Sequence, residues 1–141
     1  MEVIINRESV CLGDDINDHM KTYILSDDVT YEELFQKIMG DRYIPSVSGN
    51  NVVWVLASNS CKCIFSFFTR TNKIRMGIVE KRLSVICRNN NQLLFRYFSS
   101  PIKWKEYIRK MYDDDSYTMW RDGWLDELGY CDFVMELGDE M

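Results

Sequence analysis

The stretch that most constrains this chain is residues 52–68, VVWVLASNSCKCIFSFF. Two apolar runs, 52–57 and 61–68, flank a polar break at Ser58, Asn59 and Ser60. In the first run Val53 and Val55 fall on one side, and Val52, Trp54 and Leu56 on the other. A strand covered on one face alternates apolar with polar residues, so this one calls for layers on both sides. The second run places Phe65 and Phe67 on one face, Ile64 and Phe68 on the other. Its aromatic and β-branched enrichment and the short break predict a β-hairpin rather than one buried helix. The rest of the chain reads as cover for that hairpin.

The cover can be taken in order. Residues 2–7 (EVIINR) and 21–25 (KTYIL) read as a first pair of strands. Thr30 and Glu33 form a T-x-x-E capping box, followed by Leu34, Phe35, Ile38 and Met39 on one helical face. Gly40 is placed for the left-handed position that ends this helix. Residues 41–51 form a loop marked by Pro45 and Gly49, and 69–76 (TRTNKIRM) a basic turn. Val79, Leu83 and Ile86 fit a short helix within 78–88, with a strand over 83–87 as the alternative. Residues 93–98 (LLFRYF) are a further strand. Ser100 and Pro101 open a helix with Trp104, Ile108 and Met111 in its stripe. Ser116 opens a last helix over 117–128, closed by Gly129, with a strand or extended tail over 130–137. The expected fold is one α+β domain over residues 1–141. Its central mixed or antiparallel sheet has about five strands under three to four helices, in the order β-β-α-β-β-(α)-β-α-α.

Several function classes are disfavoured by composition. No apolar stretch is long enough to span a bilayer, and the acidic start does not read as a signal peptide. Five irregularly spaced cysteines read as reduced thiols of a cytoplasmic protein. The single histidine, His19, sits among Asp14, Asp15 and Asp18, but these lack the alternation and distal Glu of a calcium loop. Cys61 and Cys63 are two positions apart, with no second pair to complete a zinc site. No nucleophile stands beside His19 in sequence, and no two carboxylates are singled out as an acid–base pair. The expectation is a non-enzymatic protein with no cofactor, no metal and no catalytic residue.

The net charge of −5 conceals three blocks. Residues 1–60 hold ten acids and four bases, residues 61–110 two acids and twelve bases, and residues 111–141 ten acids and one base. Either the blocks neutralise one another across the surface, or one remains a uniform patch that steers a charged partner. In the middle block Lys62, Arg70, Lys73, Arg75, Lys81, Arg82, Arg88 and Arg96 interleave with Phe65, Phe67, Phe95, Tyr97 and Phe98. Basic groups and aromatics on one sheet are how single-strand binders work, so a nucleic-acid- or nucleotide-binding module is the alternative function. Against it, aromatics on a central hairpin are core material first.

Residues 9–15 (SVCLGDD), 43–56 (YIPSVSGNNVVWVL) and 119–127 (MWRDGWLDE) resemble strings in small bacterial proteins. Those proteins are of the polymorphic-toxin and contact-dependent inhibition immunity type. The resemblance runs over most of the chain and carries no catalytic residue across. It implies a cytoplasmic α+β protein that binds and blocks one toxin domain. Many such toxins are nucleases with basic clefts, since they bind phosphates. The acids Asp113, Asp114, Asp115, Asp122, Asp126 and Glu127 are therefore the expected partner-binding surface.

Overall fold

The computed structural model describes residues 1–10, 19–46, 51–58, 63–75 and 77–113, with 111–113 by backbone alone. The elements in chain order are β1 (Glu2–Arg7), β2 (Lys21–Ile24), α1 (Tyr31–Gly40), β3 (Val53–Ser58), β4 (Cys63–Phe68), β5 (Lys73–Arg75), α2 (Leu83–Ile86), β6 (Gln92–Phe98) and α3 (Pro101–Asp113). The six strands form one sheet in the order β2-β1-β6-β3-β4-β5. Every neighbouring pair is antiparallel except β1 and β6, which run parallel. The fold is α+β with a mixed sheet.

The hairpin predicted from residues 52–68 forms, with Trp54 opposite Phe67 and Val53 opposite Phe68. Residues 53–57 are at most 2% exposed, so β3 is covered on both faces as its two-sided apolar pattern requires. One face packs under α1, where Phe35 meets Phe65 and Phe67 at ring separations of 5.7 and 5.0 Å. On the other face Trp104 of α3 lies 5.8 Å from Phe68 and 6.4 Å from Phe98. The caps follow the sequence. Glu33 N–H donates to Thr30 Oγ1 and Thr30 N–H to Glu33 Oε1, while Lys103 N–H donates to Ser100 Oγ.

The structure differs from the expectations at four places. A sixth strand, β5, lies in the segment read as a turn. Only Ile74 of its three residues points to the core, too little to register as periodicity, and Ser66 Oγ holds it by donating to the Arg75 carbonyl at 2.8 Å. Ile64 joins Phe65 and Phe67 in the α1-side cluster instead of facing away, because it is the extra residue of a bulge in β4 opposite Leu56 and Ala57. The helix expected within 78–88 shrinks to the single turn of α2. Residues before it are extended, with Ile78 N–H donating to the Ile64 carbonyl and a bridge between Thr30 and Arg82, so Val79 stands 81% exposed. Gly40 is the last residue of α1, and the left-handed position falls on Arg42, at φ 56°. There the chain turns so that Tyr43 N–H reaches the Ile38 carbonyl at 3.2 Å. The expected elements over 117–128 and 130–137 lie outside the described residues.

Candidate functional site

The expected partner-binding acids can be placed only in part. Asp113 is the last residue of α3, whose bearing on the sheet is fixed by buried Trp104 and Ile108. Its side chain, and all of Asp114, Asp115, Asp122, Asp126 and Glu127, lie outside the described residues.

The basic block is better defined. Lys81 Nζ pairs with Glu32 at 2.9 Å, and Arg82 grips both carboxylate oxygens of Glu80 at 2.9 and 3.2 Å. Each partner's hydrogen bond raises the pKa of the base, and Arg82 lowers that of Glu80. Arg96 points to the α3 side, where its Nε lies 3.1 Å from Glu8 and its guanidinium 5.8 Å from the Tyr107 ring centre. Burial works against the Arg96 charge, but Glu8 and Tyr107 more than offset it. The five arginines considered for a nucleic-acid patch thus divide between the two sides of the sheet. Arg82 and Arg88 flank α2 on the α1 side, Arg96 faces α3, and Arg70 and Arg75 belong to the β4–β5 hairpin. Of the interleaved aromatics, Phe65, Phe67 and Phe95 are fully buried, and Tyr97 and Phe98 are half-buried against Trp54 and Trp104.

His19 Nε2 lies 3.1 Å from Ser9 Oγ at the surface, and Asp14, Asp15 and Asp18 lie outside the described residues. Cys63 and Cys87 are buried, and burial pushes the Cys87 thiol up to about 11. No cluster of three or more His, Cys, Asp or Glu among the described residues is placed to hold a metal ion. No helix among them is long and apolar enough to cross a membrane. Near the start of β2, Tyr43 Oη donates to the carbonyls of His19 and Ile5. Lys21 Nζ pairs there with Asp41 at 3.2 Å, so the C-terminal end of α1 clamps the strand.

A second surface lies at the first strand pair, which sequence reasoning offers only as a fallback to the acidic block. Met20, just before β2, and Ile24 at its end are 53% and 70% exposed, and Thr22 between them is exposed. The alternation over residues 20–24, with Tyr23 as the inward aromatic, is the signal that could have located it. Comparison with known proteins finds no matching family model, no similar curated protein and no similar solved structure.

Proposed function

We propose that this protein is a non-enzymatic immunity-type protein of the bacterial cytoplasm that binds one cognate toxin domain, such as a nuclease, and blocks it. The observation that carries this reading is where the basic charges find their partners. Lys81, Arg82 and Arg96 draw their counter-charges from Glu32, Glu80 and Glu8, and none of these three acids belongs to the C-terminal block. At least Lys81 and Arg82 are thus served without the C-terminal acids, which supports the availability of that block to a partner. A phosphate-binding cleft is basic, and an acidic surface entering it both steers association and excludes the substrate. The nucleic-acid reading needs exposed aromatics beside a continuous positive surface, and burial of Phe65, Phe67 and Phe95 works against it.

The test is growth protection. It begins by asking whether a large secreted toxin is encoded immediately upstream of the gene, and that toxin's domain is then co-expressed with the chain. Protection that disappears when Asp113, Asp114, Asp115, Asp122, Asp126 and Glu127 are reversed in charge is the expected result. Death of the cells despite abundant folded protein would sink the proposal.

A further inference from the structure

We propose that β2 is a self-association edge, across which a second copy of this chain adds its own β2 antiparallel about a twofold axis at Thr22. The inference stands independently of the toxin reading.

The first observation is an open hydrogen-bonding edge. β2 ends the sheet. Leu25 N–H donates to the Met1 carbonyl at 2.7 Å, and the Met1 amine donates back to Leu25. The register continues through Tyr23 opposite Val3 and Lys21 opposite Ile5. Antiparallel pairs alternate, so the odd positions 21, 23 and 25 bond to β1, and the amides and carbonyls of Thr22 and Ile24 point outward. The second observation is what guards the two edges. At the opposite end β5 is only three residues long and carries Lys73 and Arg75, the usual protection against pairing. On β2 the one charged side chain, Lys21, is turned to the α1 side and held by Asp41. The outer face offers Thr22 and Ile24, with no charge, proline or bulge.

The third observation chooses the occupant. Read about Thr22, the sequence Met20-Lys21-Thr22-Tyr23-Ile24 is complementary to itself. A twofold axis there sets Thr22 against Thr22, a favourable cross-strand pair, and Met20 against Ile24 twice on the same face. Met20, just before the strand, and Ile24 are then both covered at once. The seam is short, so the dimer dissociates on dilution.

The experiment measures the mass of the full-length protein by sedimentation across a wide concentration range, together with register-specific crosslinking. Wild type is expected to shift from monomer to dimer as concentration rises. Thr22→Pro removes the outward N–H at a position where an edge strand accepts proline, and Ile24→Lys places a charge in the seam. Each is expected to weaken association about tenfold or more at an unchanged circular-dichroism spectrum, and Ile24→Lys serves if the proline variant fails to fold. Under mild oxidation Thr22→Cys is expected to crosslink, because hydrogen-bonded partners sit about 5.5 Å apart, within disulfide reach. Ile24→Cys is not, since its own copy would lie about 14 Å away along the strand. Wild type carrying only its native cysteines is the control. A wild type that stays monomeric at every concentration, dimers unaffected by Ile24→Lys, or equal crosslinking at both positions would each overturn the proposal.

Discussion

Tyr31 Oη donates a 2.7 Å hydrogen bond to the carbonyl of Ile78, joining the first turn of α1 to the chain leaving β5. The same ring stacks on Phe65 at 5.4 Å and is almost fully buried. Gly77 lies directly beneath it. A Cβ there would collide with Tyr31 Oη and approach Cζ to 2.9 Å, and the ring has no room to retreat from Phe65.

Gly77→Ala is therefore expected to cost about 1–3 kcal/mol, as overpacking does. Tyr31→Phe alone should cost about 1 kcal/mol through the lost hydrogen bond. Combined, the two should cost less than their sum, because removing the hydroxyl removes its part of the collision. Urea unfolding of the three variants decides it. Strict additivity would show that Gly77 is not held by this contact.

Trp54→Ala should cost about 3–5 kcal/mol, a large share of the roughly 5–15 kcal/mol available to an ordinary domain. Trp54 is fully buried, and its indole N–H has no acceptor among the described residues. Trp54→Phe loses volume but also sheds that unsatisfied donor, so it should cost only about 1–2 kcal/mol. Thermal unfolding of the pair checks both values. A phenylalanine variant as unstable as the alanine one would mean that the indole N–H is satisfied.

What could be read from sequence was what is local or periodic. The two-sided apolar run around Trp54 and the Thr30–Glu33 box each contain their own structural reason, and both appear where expected. β5 was illegible because a single inward residue, Ile74, has no period. The orientation of Ile64 depended on its being the extra residue of a bulge in β4, and the left-handed residue after α1 on the path of the chain to Tyr43. At the candidate site the charge blocks were legible, but their pairing was not. Lys81 with Glu32 and Arg96 with Glu8 are contacts that only the fold brings together.

Arg42 supplies a sharper check on that helix exit. A side chain at φ 56° bears strain that glycine does not, so Arg42→Gly should stabilise the protein by about 0.5–1 kcal/mol. Arg42→Ala, which keeps the Cβ, should bring no gain. Midpoints in denaturant separate them. Equal effects from both would point to the arginine charge instead.

Cys87 predicts an alkaline limb. Burial raises its thiol from about 9 to about 11, so above pH 9 the unfolded chain gives up a proton that the folded chain retains. The contribution is complete below pH 9 and disappears as pH rises through 11, at most about 2–3 kcal/mol. Comparing Cys87→Ala with wild type, the stability difference should shrink between pH 9 and pH 11. A difference constant over that window would contradict the burial of this thiol.

The central claim is that the C-terminal acids grip a basic toxin surface. The measurement is the dissociation constant of the purified pair at low and high salt. Wild type is compared with a variant carrying Asp113→Asn, Asp114→Asn, Asp115→Asn, Asp122→Asn, Asp126→Asn and Glu127→Gln. The account predicts wild-type affinity that falls with salt, and a variant bound at least about tenfold more weakly at low salt, with little salt dependence left. A variant that binds with wild-type affinity and wild-type salt dependence would contradict it.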